Sequence, residues 1–323
     1  MMHRHFDQRF CMPPAHSHSA TPPSPFSVWR QQIANNPWVG AGLALSLVAV
    51  VILLGASLWN AVNGDHSENL HLAALGGLSG FGATALGAVL AVVLRDVSSR
   101  NQDVMLGFAA GMMLAASSFS LILPGLDAAR EITGSGPGAA LIVVVGMGLG
   151  VLLMLGLDRF TPHEHERVGV VGPETERFSR VWLFVLAITL HNLPEGMAIG
   201  VSFTNGDMNI GLPLTTAIAI QDIPEGLAVA LALRATGLSN LKAALVAIGS
   251  GVMEPLGAII GLGISTGFAV AYPISMGLAA GAMIFVVSHE VIPETHRHGH
   301  QTSATLGLMG GFAVMMFLDT ALG

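Results

Sequence analysis

Apolar runs of membrane-spanning length set the terms for this chain. A bilayer is crossed by about 20 apolar residues in a helix. Nine such runs lie at 38–59, 71–94, 103–123, 138–158, 180–202, 210–233, 241–265, 270–292 and 303–322. In lipid each segment must satisfy its own backbone hydrogen bonds, so these runs are expected as helices. Composition agrees: 52% of the 323 residues are hydrophobic and 10% are charged, against about 25% charged in a soluble domain. The chain reads as an all-α polytopic membrane protein whose first partner is the lipid bilayer.

Lys and Arg collect on the cytoplasmic side of such proteins. With the N-terminus cytoplasmic, every one of the 13 basic residues except Arg130 falls inside, and the C-terminus is extracytoplasmic. Residues 1–36 are polar, rich in Pro and Ser, and carry His3, His5, His16 and His18. They read as a disordered cytoplasmic tail with no cleavable signal, because the start is not apolar. Segment 37–60 is an extra N-terminal transmembrane helix ahead of a core at 70–323. The single cysteine, Cys11, lies in the tail, which excludes an intrachain disulfide or a cysteine metal cluster. Nothing in the sequence points to nucleic acid.

Two of the runs hold near-copies of one polar pattern, HNLPEGMAIG from His191 and QDIPEGLAVA from Gln221. An ionisable group at membrane depth is costly unless it pairs, meets water or binds an ion. On a helix His191 and Glu195 are i, i+4 and share a face, as do Asn192 and Glu195 at i, i+3; Gln221, Asp222 and Glu225 repeat this. Pro194 and Pro224 lack an N–H and clash with the carbonyls of Leu190 and Ile220, predicting kinks and two freed oxygens. Packed face to face, the two helices pool one imidazole, three carboxylates and two amides, a set suited to divalent transition metals. Glu195 and Glu225 are central enough to bridge two ions, with their carboxylates expected within about 5 Å, inside the reach of ions that bind oxygen at close range. The bland readings, a turn in a soluble loop or hydrogen bonding between helices, are disfavoured by the apolar flanks and by the duplication.

A wider repeat surrounds these helices. GFAAGMM at 107–113 matches GLAAGAM at 277–283, and LGAVLA at 86–91 matches LGAIIG at 256–261; both pairs are offset by 170. Gly146, Gly150, Leu157 and Asp158 match Gly307, Gly311, Leu318 and Asp319, offset by 161. Segments 71–158 and 241–322 thus read as inverted repeats flanking the metal-site helices at 180–233, a 3+2+3 core of the kind found in secondary transporters.

Further acids and histidines lie along the same path. Glu254, followed by Pro255, supplies another mid-helix carboxylate. Four acids there would balance two divalent cations. His289 and Glu290 in SHEVIPETHRHGH, with His163 and His165 in the preceding inner loop, are candidate ligands on the inner half of a pathway. His296, His298 and His300 extend that His-rich inner face, whose alternative reading is an ordinary solvated loop. Asp127 and Asp319 near the outer ends and Asp158 near an inner end are expected to line mouths or to cap helices.

On these residues, HNLPEG and QDIPEG at their spacing, the Glu-Pro that follows, and a His-containing loop before the first motif, residues 70–323 resemble the ZIP family of zinc and iron transporters. The resemblance is to bacterial members with one added N-terminal helix. It implies a binuclear metal site halfway across the membrane: His191, Glu195, Gln221 and Glu225 around a first ion, and Asn192, Asp222 and Glu254 with the bridging Glu195 and Glu225 around a second. It also implies import toward the cytoplasm, a homodimer in the inner membrane, and an elevator motion of the helices carrying 71–94 and 180–265 against a scaffold. Zinc is the leading substrate, with cadmium, iron and manganese open, and no enzymatic activity is expected. The rival readings are an intramembrane metal-dependent hydrolase, for which no acid/base arrangement is visible, and a metal-selective channel.

Overall fold

A computed structural model describes residues 34–63, 67–94, 97–160, 163–165, 169–171, 180–235 and 237–322. Every apolar run within them is helical. In chain order the helices are α1 (Pro37–Asn63), α2 (Ser67–Val93), α3 (Ser99–Thr133), α4 (Gly136–Phe160), α5 (Arg180–Ser202), α6 (Met208–Ala235), α7 (Asn240–Ser265), α8 (Ala271–Thr295) and α9 (Gln301–Leu322). Eight of these contain spans long and apolar enough to cross a membrane; α5, the first motif helix, reaches the same length with 23 residues. Between α4 and α5 a hairpin pairs β1 (His163–His165) with β2 (Gly169–Val171). The N-terminal tail through residue 33, with its histidines and Cys11, lies outside the described residues.

Two helices widen locally, and the prolines explain where. α3 makes a π-helical turn at Ser117–Ile122 and α8 one at Val287–Val291. Pro124 and Pro293 follow directly. Each lacks an N–H and its ring would clash with the carbonyl four residues back, at Ser120 and His289. Both carbonyls lie inside the widened turn, where a π-bulge makes room. α7 is instead broken at Gly251 and Val252, between Asn240–Ser250 and Met253–Ser265. Gly251 O there accepts from Glu254 N at 3.0 Å, and Pro255 falls in the first turn of the new segment, where a missing N–H does no harm. The run expected as one helix over 241–265 is therefore broken, and the carboxylate expected mid-helix at Glu254 lies in the first turn of the second segment.

Glycine decides which helices lie closest. α3 crosses α9 at Gly107, Gly111, Gly307 and Gly311; a Cβ on Gly111 would sit 1.9 Å from Leu308 O, and one on Gly311 equally close to Phe108 O. α8 crosses α4 in the same way at Gly277, Gly281, Gly146 and Gly150. These are the residues paired by the 170 and 161 offsets, so both crossings use corresponding positions. The motif helices behave alike. α5 lies on α7 at Gly196 and Gly200, and α6 lies on α2 at Gly226 and Gly87. α1 joins from outside the repeat, seating Gly42 on Leu152 and donating Ser46 Oγ to Leu149 O at 3.0 Å.

Among the described residues these backbone-to-backbone approaches fall within two groups, α2/α5/α6/α7 and α3/α4/α8/α9. A buried core of larger side chains, including Met112, Met113, Ile199, Ile218, Met276 and Met283, draws on helices of both groups. Filling a close approach should be disruptive, since overpacking costs about 1–3 kcal/mol even where neighbours yield. Gly111→Leu is expected to lower the thermal midpoint of the purified protein in detergent by several degrees. Gly148→Leu, where a Cβ meets nothing within 4 Å, should leave it unchanged.

Candidate metal centre

Three helices carry polar groups into one buried region. α5 brings Asn192 and Glu195, α6 brings Gln221, Asp222 and Glu225, and the second part of α7 brings Glu254. Asn192, Glu195, Gln221, Asp222 and Glu254 are buried, none more than 3% exposed; Glu225 is half-buried. The helices run unbroken through Pro194 and Pro224. The glycine after each Pro-Glu explains how the walls come so near. A Cβ on Gly196 would lie 2.1 Å from Glu254 O, and one on Gly226 would lie 2.3 Å from Thr84 O.

One carboxylate oxygen from each of Glu195, Asp222 and Glu225 can be chosen so that all lie within 4.8 Å of one another. Gln221 Nε2 donates to Glu195 Oε1 at 2.8 Å, leaving its own carbonyl Oε1 turned to the interior. Thr84 Oγ1, from α2, donates to Glu254 Oε1 at 2.7 Å. Glu254 Oε2 lies on the other side, against Gly80 and beside Asp222 Oδ2: a Cβ on Gly80 would be 1.9 Å from the first and 3.2 Å from the second.

Among the described residues, Glu195 Oε2, Gln221 Oε1, Asp222 Oδ2 and Glu254 Oε2 are buried without a hydrogen-bond donor. The charges acting on Glu195 there are those of Glu225 and Glu254, and those acting on Asp222 are Glu254, Glu195 and Glu225. All are acidic. Buried charges are paired or coordinate a cation, and hard oxygen donors at this spacing suit divalent metal ions.

The structure brings five of the seven candidates together, Glu195, Gln221, Asp222, Glu225 and Glu254, and a sixth, Asn192, is buried on α5. The seventh, His191, holds its place in α5, but its side chain lies outside the described residues. The same is true of the side chains of His163 and His165. His289 stacks on Phe285 with ring centroids 5.0 Å apart and sets Nε2 3.6 Å from Asp158 Oδ2, with Asp158 buried. Glu290 is partly exposed on the same π turn. Asp319 accepts from Ser120 Oγ at 2.7 Å. Asp127 is exposed and pairs with Arg130 at 2.8 Å, a surface ion pair away from the buried group.

Three residues escaped the sequence reading. Thr84 and Gly80 reach Glu254, and a signal for Thr84 existed: it lies 170 residues before Glu254, the repeat offset itself. Asp103 is buried and faces two imidazoles of the loop between α8 and α9, His298 Nδ1 at 2.9 Å and His300 Nδ1 at 2.8 Å. In the first turns of a helix an acid reads as a capping residue, so Asp103 carried no separate signal.

Comparison with known proteins places the chain among relatives. The family model described as "ZIP Zinc transporter" matches residues 160–319. The chain is 70% identical to "Zinc transporter ZIPB" of Bordetella bronchiseptica, over 91% of this chain and 96% of that protein. It is 43% identical to "Zinc transporter GufA" of Myxococcus xanthus, over 75% of this chain and 95% of that one. It is 31% identical to "Zinc transporter ZIP11" of Homo sapiens, over 78% and 97% respectively. With its membrane-spanning helices, its paired Pro-Glu-Gly motifs and these relatives, the chain belongs to the ZIP family, a family of transporters rather than of enzymes.

Proposed function

We propose that this protein imports a divalent transition metal, zinc first, across the inner membrane through a binuclear site at mid-depth. The observation that carries this reading is the convergence of Glu195, Asp222 and Glu254 from α5, α6 and α7, each buried and each with an oxygen that lacks a donor. Relatives named as zinc transporters support zinc as the substrate. In this reading His191, Glu195, Gln221 and Glu225 hold the first ion. Asn192, Asp222 and Glu254 hold the second, with Glu195 and Glu225 shared. Cadmium, iron and manganese are the secondary substrates to test.

The mechanism we infer is alternating access by an elevator motion. Its support is the packing. Within α2/α5/α6/α7 and within α3/α4/α8/α9 the backbones lock together at glycines. Between the groups lie methionine and branched aliphatic side chains, and methionine is unbranched and adaptable, so one group can slide on the other without breaking close contacts. The inverted repeats 71–158 and 241–322, the extra helix at 37–60, the homodimer and the cytoplasmic N-terminus belong to the same proposal. Asp127 and Asp319 would lie toward the entry. Asp158, His289, Glu290, His163 and His165 would provide weak ligands on the way out, which lets an ion leave in small steps.

Zinc uptake by the purified protein in liposomes tests the core of this. Glu195→Ala removes a bridging ligand and is expected to abolish uptake, a greater loss than the about 100-fold that removing an outer partner of a metal ligand can cost. Asp222→Ala should retain partial flux with an altered order of preference among zinc, cadmium, manganese and iron. Wild-type flux in Glu195→Ala would remove the reading, and flux linear in zinc rather than saturable would turn it into a channel.

Orientation is tested separately. In a Cys11→Ser background, Ser135→Cys should react with an impermeant thiol reagent applied to the outside of whole cells. Ser239→Cys should react only after the membrane is opened. Both positions are exposed. The reverse pattern would invert the topology.

A further inference from the structure

We infer that Thr84 is a specificity-determining positioning residue: its hydroxyl holds one oxygen of Glu254, so that Glu254 offers a single oxygen to the ion it shares with Asp222. The inference rests on the metal-site reading above and adds to it a residue outside the Pro-Glu-Gly helices.

The local geometry carries it. Thr84 is 6% exposed and Glu254 is 0% exposed, and the 2.7 Å bond uses the only proton the threonine hydroxyl has. Thr84 has little freedom to turn away. Its carbonyl is pressed by Gly226 of α6, and its Cβ and methyl stand 3.2 and 3.1 Å from where a Cβ on Gly251 would be. The same residue thus touches the helix that carries Asp222 and Glu225, the break in α7, and the carboxylate that follows the break. Gly80 lies one turn away on the same face of α2 and leaves the space in which Glu254 Oε2 sits. Oε1 is committed to the protein, and Oε2 is buried without a donor beside Asp222 Oδ2.

The chemical consequence is the coordination mode. A carboxylate binds a metal through one oxygen or two. An ion with short bonds and few ligands, such as zinc, accepts one oxygen. A larger ion with longer bonds, such as cadmium, gains from two. By holding Oε1, Thr84 disfavours the two-oxygen mode and so favours zinc over cadmium at this position. By the 170-residue offset Thr84 is also the counterpart of Glu254 itself. One repeat therefore supplies the carboxylate and the other the hydroxyl that orients it, which makes the site asymmetric.

The test is calorimetric titration of the purified, detergent-solubilised protein with zinc and with cadmium, alongside uptake in liposomes. Thr84→Val keeps the shape and removes the proton. The zinc-over-cadmium affinity ratio of the weaker step is expected to fall about tenfold, the loss of one hydrogen bond to a charged group. Thr84→Ser should restore the wild-type ratio, which a merely structural role of the methyl would not do. Should Thr84→Val fail to yield folded protein by gel filtration, Thr84→Ala, which is smaller than threonine in every direction, carries the same expectation. Gly80→Ala, whose methyl would take the place of Glu254 Oε2, is expected to abolish one of two binding steps. An unchanged ratio in Thr84→Val or Thr84→Ala overturns the inference. If Glu195→Ala meanwhile loses zinc binding, only the role of Thr84 falls; if Glu195→Ala also binds as wild type, the metal site itself falls.

Discussion

The carboxylates of Glu195, Asp222, Glu225 and Glu254 share one region inside the bundle, where desolvating each ion alone is strongly unfavourable. The other features of the site follow from accommodating them. Gln221 and Thr84 each commit one donor to one oxygen, on Glu195 and Glu254. Glu195 Oε2, Asp222 Oδ2 and Glu254 Oε2 are buried without a donor. Cations held there would offset that cost, and this is the basis of the proposed metal site. The break in α7 contributes too, because it places Glu254 at the start of a helix, where the helix dipole favours negative charge.

Glycine is the other half of the design. Without hydrophobic drive between helices in lipid, association relies on close van der Waals approach through small residues. Here the approaches sort the helices into two groups, one carrying the buried carboxylates and one carrying the π turns. The Gly of each Pro-Glu-Gly motif serves the site directly: Gly196 admits the backbone of Glu254 and Gly226 admits that of Thr84. A motif that reads as three residues for one purpose divides in the structure. The acid joins the buried carboxylate cluster, and the glycine brings the opposite wall within reach.

The acid–histidine pairs outside that cluster follow a looser logic. His289 approaches Asp158, and His298 and His300 approach Asp103. These pairs are partly solvated, with His289 and His298 each 45% exposed at the side chain. Asp158 and Asp103 are themselves buried, so each acid meets solvent only through a partly exposed ring.

The sequence by itself determined the helices, the motifs and the repeat. Apolar length alone dictates helices in lipid, and the runs at 71–94 and 303–322 agree closely with Ser67–Val93 and Gln301–Leu322. An acid at membrane depth announces itself by its cost, so Glu195, Asp222, Glu225 and Glu254 were legible as one constellation. Other features were settled only by tertiary structure. The break at Gly251, the π turns, and the extension of α3 to Thr133 depend on which carbonyl each proline would strike and what packs beside it. Thr84 is a small, uncharged residue in an apolar helix, and Gly80 has no side chain at all. Neither carries a local signal, because each matters only for what another helix brings against it: a carboxylate oxygen 2.7 Å from one, and the space that the same carboxylate fills beside the other.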